Sequence, residues 1–284
     1  LSRELVAFDL GDLGAPQQEI ARIDLVPPSG EVLDADVLRG KQIFHRSADP
    51  RMTKDGYISC GSCHFDGDGD NRTWDFTDRG EGLRNTPSLL GRGGSTPIHW
   101  SANFDEVQDF ENDVRGPQQG AGFLEDSDWD LTSDTLGEPK AGLSADLDAL
   151  AAYVESLTDP PRSPFADADT SAGLALFTDP ALGCADCHPA PSYTDSQFLA
   201  PGQPLLHDVG TLSDASGQRM GEPLLGLDTP QLVGLWATAP YLHDGSAATL
   251  RAVLVDRNPL DQHGATSSLD ESELQALEAF LLSL

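Results

Sequence analysis

All four cysteines of the chain fall in two short stretches, CGSCH at residues 60–64 and CADCH at 184–188, and in each a histidine directly follows the second thiol. Two such pairs could share a zinc ion, and a single C-x-x-C could cycle as a redox dithiol. Neither chemistry calls for the histidine. Covalent haem attachment does. Thiols one helical turn apart form thioethers to the haem vinyl groups, and the next residue lies under the ring where an imidazole binds iron. The doubled pattern predicts two haem c groups, haem 1 on Cys60, Cys63 and His64 and haem 2 on Cys184, Cys187 and His188. Such haem is attached outside the cytoplasm, so the expected compartment is periplasmic or extracellular.

Directly after the first motif, FDGDGDN sets Asp66, Asp68 and Asp70 at alternate positions, like part of a calcium loop. The later bidentate glutamate of an EF-hand is missing, and a solvated acidic loop is the plainer reading.

The elements that must carry these motifs repeat. LDADVLRGKQIF (33–44) precedes the first site and TSAGLALFTDPALG (170–183) the second, each reading as a helix that feeds the attachment loop. LSADLDALAAYVESL (143–157) and LDESELQALEAFLLSL (269–284) then carry apolar residues at helical spacing, as closing helices. Ser144 is the expected cap of the first, with Asp146 in its first turn, and Ser268 with Glu271 a capping box for the second. The prolines of TDPPRSPF (158–165) mark a linker. Residues 1–30 differ: LVAFDL and EIARIDLVP alternate apolar and polar around a turn containing Gly and Pro, a β-hairpin pattern. The predicted fold is mainly α, with two cytochrome c-like helical domains of one covalent haem each (31–159 and 160–284) and a β-hairpin-like N-terminal segment (1–30).

The chain has 284 residues, 38% of them hydrophobic, and a formal net charge of −30. No apolar run approaches the roughly 18 residues of a membrane helix, and the charge repels nucleic acid and anionic membranes while favouring a cationic partner. The opening LSRELV lacks Met and a leader pattern, which leads us to expect a removed signal peptide or a larger parent chain that includes a β domain.

DTPQLVGLWATAPYLHDGSAATLRAVL (228–254) and LRNTPSLLG (83–91), together with the two C-x-x-C-H sites in this order, resemble the bacterial di-haem cytochrome c peroxidases and MauG proteins over about residues 33–284. The resemblance implies that haem 2 takes electrons from a small redox protein or other donor and relays them to haem 1, where hydrogen peroxide is reduced. Its alternatives are a pure electron-transfer module and MauG-like oxidation of a protein partner. It further implies a calcium ion between the domains, with Asn85, Thr238 and Pro240 as the matching ligand positions, and a bridging tryptophan, Trp100. Calcium takes oxygen ligands of this kind.

The departures from that pattern concern the ligands. Where the family carries a glutamate shortly after Gly-Pro, this chain has Phe123, leaving Glu125 and Asp126 as the nearby carboxylates. At the methionine or tyrosine position of haem 2, about fourteen residues beyond His243, stands Arg257. His263 is therefore the expected sixth ligand of haem 2, with Met220 second. For haem 1 the sixth position is open or filled by His99 or His45, with His99 beside Trp100 the sharper candidate. His207 and His243 are expected to support haem 2 from outside its ligand set.

Overall fold

The computed structural model of the chain describes residues 4–11, 14–15, 17–26 and 30–284. At its start β1 (Glu4–Asp9) and β2 (Gln18–Asp24) pair antiparallel, with Leu5 opposite Ile23 and a register shift at Ala7/Phe8. The turn between them, with its Gly and Pro, lies partly outside the described residues. Both strands are largely exposed, and Arg22 clasps Glu4 and Glu19 across and along the hairpin. No helix among the described residues is long and apolar enough to cross a membrane.

The remainder is helical with long ordered loops. α1 (Ala35–Phe44) precedes the short attachment helix α2 (Cys60–Cys63); β3 (Thr73–Phe76) and β4 (Gly82–Asn85) form an antiparallel pair; α3 (Glu111–Arg115) and α4 (Asp126–Thr132) lead to α5 (Ala145–Glu155). The second half runs α6 (Ser171–Phe177), α7 (Cys184–Cys187) and, after a long loop region, α8 (Glu271–Ser283). Each half has its own apolar core. Ile43, Phe44, Leu147, Leu150 and Tyr153 anchor the first; Phe177, Leu250, Leu254, Leu277 and Phe280 anchor the second.

Both cores rest on the same helix crossing. A Cβ on Gly40 of α1 would lie 1.8 Å from the carbonyl oxygen of Ala149 in α5, and one on Gly173 of α6 would lie 2.1 Å from that of Ala276 in α8. Only glycine lets the backbones approach so closely.

Helix caps follow local chemistry. Ser144 Oγ accepts from Leu147 N–H at 3.4 Å, as the sequence suggests. The cap of α8 falls two residues later than Ser268/Glu271: Asp270 accepts from Ser272 and Glu273 N–H, and Glu273 reaches back to Asp270 N–H at 2.8 Å. Ser268 closes a 3-10 turn and Leu269 is extended, so the helix cannot begin before Asp270, and Glu271 is free to pair with Arg251.

The halves meet through β4. Asn85 donates its backbone N–H to His243 O (2.6 Å) and its side-chain amide to Pro240 O (2.5 Å), Arg84 donates to Ser216 O (2.8 Å), and Arg219 donates to Ser101 O (2.8 Å).

Candidate functional site: two clefts with a common wall

A cleft of about 380 Å³ contains Cys60, Cys63 and His64, and a second of about 470 Å³ contains Cys184, Cys187 and His188. Both lie in the size range of cofactor pockets, roughly 300–1,000 Å³. Asn85, Thr86, Pro87, Arg92, Trp100 and Asp228 line both, so one wall separates them. Trp100 is fixed there by its indole N–H, which donates to Asn85 O at 2.9 Å, and its ring centroid lies 6.5 Å from that of His243. Asp228 is buried with Oδ1 unpartnered, and burial raises its carboxyl to about 6 despite the hydroxyl of Ser196.

The cysteines are unpaired with one another. Burial pushes Cys60 up to about 12 and Cys63 up to about 11, the opposite of what a nucleophilic redox dithiol requires. The four thiols do not converge: among the described residues the only group of three or more metal-ligating side chains is Cys187, Asp195 and His207. A shared zinc is thus not formed, and thiols in separate clefts beside a histidine fit covalent haem. The acidic loop after the first motif also lacks convergence. Asp68 accepts from Gly69 N–H, Asp70 from Arg72 N–H and the Trp74 indole, and Asp66 is exposed.

In the second cleft His188 donates Nδ1–H to Tyr193 O at 2.9 Å, which leaves Nε2 free for a metal. Facing it is His263, with ring centroids 6.4 Å apart and planes at 41°. Two imidazoles on one iron, with bonds of about 2 Å and about 1.2 Å from nitrogen to ring centre, would set their centroids about 6.4 Å apart. The residues therefore fit a haem iron between them. Burial holds His263 down at about 4, a neutral imidazole. Its loop is tied by Asn258, which accepts from His263 N–H (2.8 Å) and donates to Gly264 O (2.7 Å) and Thr266 Oγ1 (2.9 Å). Met220 is half exposed on the turn between the Gln218–Arg219 and Glu222–Pro223 strands and lines neither cleft. Arg257 is turned toward Ser246 and Asp244. His207 bonds Asp195 at 2.9 Å with its other nitrogen 3.8 Å from Cys187 Sγ, and His243 bonds Ser216 at 2.8 Å.

The first cleft carries more charged side chains than the second. His99 lines it, as do Arg79, Glu81, Arg84 and Asp113. His45 does not: it packs behind the attachment helix, where a Cβ on Gly61 would meet its Nδ1 at 2.3 Å. Glu125 is also outside. It is exposed at the N-cap of α4, because the fully buried carboxylate of Glu111 accepts from Phe123 and Leu124 N–H and holds Phe123 in the core, turning the next residue outward. Sequence reading missed Arg79, Glu81 and Asp113. The signal available for Asp113 was its position three residues before Gly116-Pro117, on the same short helix as Glu111.

Asn85 and Pro240, predicted as calcium ligands, are adjacent across the interface, and Thr238 lines the same cleft. Asn85 Oδ1 is buried and unpartnered, an oxygen suited to a hard cation.

A family model of RoxA-like, cytochrome c-like proteins matches residues 226–260. The chain is 28% identical to hydrazine synthase subunit gamma of Kuenenia stuttgartiensis, covering 83% of this chain and 74% of that protein. It is 28% identical to the methylamine utilization protein MauG of Methylorubrum extorquens (96% and 85%) and 25% identical to cytochrome c551 peroxidase of Nitrosomonas europaea (100% and 91%). Among solved structures, hydrazine synthase of Kuenenia stuttgartiensis under xenon superposes with a TM-score of 0.60 at 26% identity over 89% of each chain. A MauG-like protein associated with microbial copper homeostasis gives 0.60 at 20% identity over 91% of each. With its two C-x-x-C-H clefts, the chain is similar over most of its length to MauG proteins and cytochrome c peroxidases.

Proposed function

We propose that the chain is a di-haem c-type oxidoreductase, taking electrons at the Cys184–His188 site and using them at the Cys60–His64 site to reduce hydrogen peroxide. One observation carries the reading: two clefts, each holding a C-x-x-C-H, are separated by a wall that contains Trp100. Bound haem supplies redox iron, and the chain supplies its ligation, spacing and proton handling.

In this reading residues 31–159 and 160–284 are the two haem units, His64 and His188 are the proximal ligands, and His263 is the sixth ligand of haem 2. The Tyr193 carbonyl orients His188, and Trp100 assists electron passage between the clefts. Arg92, on the common wall, offers a cation to haem propionates. Asn85 Oδ1, with backbone oxygens of Thr238 and Pro240, holds a calcium ion that fixes the two units against one another. Covalent haem puts the protein outside the cytoplasm, where a small redox protein is the donor class.

The test is electron paramagnetic resonance of the oxidised and half-reduced protein before and after hydrogen peroxide. A high-spin ferric signal from haem 1 that disappears with peroxide is expected. Two low-spin signals indifferent to peroxide in both redox states would overturn the reading in favour of an electron-transfer module. The likeness to MauG over 96% of the chain favours, as a second reading, oxidation of a partner protein. With a net charge of −30 that partner is basic, and its binding should weaken with salt.

A further inference from the structure

The carboxylate sought after Gly116-Pro117 is on the surface, so acid–base help at haem 1 has to come from other groups in its cleft. Two are built for it. His99 is held by its Nδ1, 2.8 Å from Asn103 Oδ1, and the same amide donates through Nδ2 to Glu81 at 2.6 Å. Glu81 also accepts from Ser101 Oγ and from Arg84. A carboxylate surrounded by donors fixes which end of the Asn103 amide meets it, and thereby makes the Asn103 oxygen the acceptor for His99. Nδ1 must then carry the hydrogen, so Nε2 has a free lone pair. The ring is braced by Phe104 at 4.4 Å and Phe110 at 5.1 Å, and it is presented from a backbone at φ 71, a conformation rarely adopted by residues other than glycine. Burial keeps the imidazole neutral, down at about 4.

The second group is Arg79. Its guanidinium is gripped at two points by Asp113, Nη1 to Oδ2 at 3.0 Å and Nη2 to Oδ1 at 2.8 Å, and it lies 5.0 Å from the centroid of the Phe76 ring. A forked pair of this kind fixes direction as well as charge.

We propose that His99 Nε2 and the Arg79 guanidinium are the acid–base pair of the Cys60 cleft, with Asn103–Glu81 and Asp113 as their positioning residues. The proposal rests on the peroxidase reading. His99 accepts a proton from one oxygen of hydrogen peroxide and returns it to the other, which leaves as water as the O–O bond breaks, while Arg79 stabilises the negative charge developing there. The remaining oxygen becomes the second water with two electrons from the donor protein and two protons from solvent. The pair does for haem 1 what a lone distal carboxylate would do, and general acid–base help of this kind is typically worth about 10²- to 10⁴-fold.

The experiment measures two quantities on holoprotein of checked haem content: the second-order rate of reaction with hydrogen peroxide, and the affinity of ferric haem 1 for sodium fluoride, an anion that binds with a proton and needs distal donors. His99→Gln is expected to slow the peroxide reaction at least about 10²-fold and Arg79→Leu at least about 10-fold, and both should weaken fluoride binding. Asn103→Leu should lower kcat with KM little changed. Should Arg79→Leu fail to load haem, Arg79→Lys, which keeps the charge without the two-point grip, takes its place and is expected to react with peroxide more slowly and to bind fluoride more weakly than the parent, unchanged values overturning the role of Arg79. Unchanged rates and fluoride affinity in His99→Gln and Arg79→Leu would overturn the pair. So would a low-spin haem 1 in the parent that turns high-spin in His99→Gln, because His99 would then be an iron ligand. A parent protein inert to peroxide in every redox state would sink the peroxidase reading alone, with the fluoride series still deciding whether the pair exists.

Discussion

The two clefts stand on one frame and do opposite things with it. In each, a glycine lets a leading helix sink onto the carbonyl of a closing helix, at Gly40 on Ala149 and at Gly173 on Ala276, and a one-turn helix then presents two thiols and a histidine. In the second cleft the histidine is faced by His263, held by Asn258. In the first, the cleft carries His99, Arg79, Asp113 and Glu81, a set of acid–base groups. The repeated helices set where each C-x-x-C-H motif stands, while the loops between them set what faces it, a second histidine in one cleft and charged side chains in the other.

The comparison breaks most completely at the thiols. Replacing Cys184 and Cys187 with Ser should remove covalent haem from the second cleft and leave the first loaded, so that intact-protein mass falls by one haem; loss of both would mean that the halves do not load independently. Next in size, His263→Met should raise the potential of haem 2, because a Met/His pair lies above His/His. Asn258→Leu should reproduce part of the change by releasing the loop, and an unaltered potential and low-spin spectrum in both would remove His263 from the iron.

The frame itself is tested by Gly40→Ala and Gly173→Ala. Each puts a methyl group into a backbone oxygen, and overpacking of this sort costs about 1–3 kcal/mol or more. Denaturant midpoints should fall in both, and similar losses would establish the two crossings as equivalent.

A smaller, one-sided effect concerns acid. Asp146 links α5 to Arg39 and Arg51, each at 2.8 Å, and hydrogen bonding from Arg39 first, with that from Arg51 behind it, holds its carboxyl at about 2. A folded value below the ordinary 3.8 contributes stability above that value, which is lost as pH falls toward about 2. Asp146→Asn should therefore lower stability at neutral pH and flatten the acid limb between about pH 4 and 2, measured by thermal melts across that range. The smallest expected effect is at Glu125: on the surface, Glu125→Gln should leave the peroxide rate within about twofold.

Much of this was legible in the chain. The cysteine–histidine spacing is local, since a thioether pair and a proximal imidazole must lie within one helical turn. The leucine stripes of 143–157 and 269–284 also mark buried helix faces by their period alone. The cap of α8 was misjudged by two residues because Asp270 and Glu273 make the same reciprocal bonds as Ser268 and Glu271 would, and the 3-10 turn at Thr266–Ser268 decides between them.

Two C-x-x-C-H motifs on repeated helical units could be read from the chain alone, because those features depend on residues a few positions apart. Only the tertiary structure decided what faces each site. His263 is 75 residues beyond His188, and Arg79 and Asp113 are separated by 34 residues. Glu125, close to the right place in sequence, was turned outward by a buried bond network centred on Glu111. Distances of that kind are set by how loops close over the cores, and no local pattern encodes them.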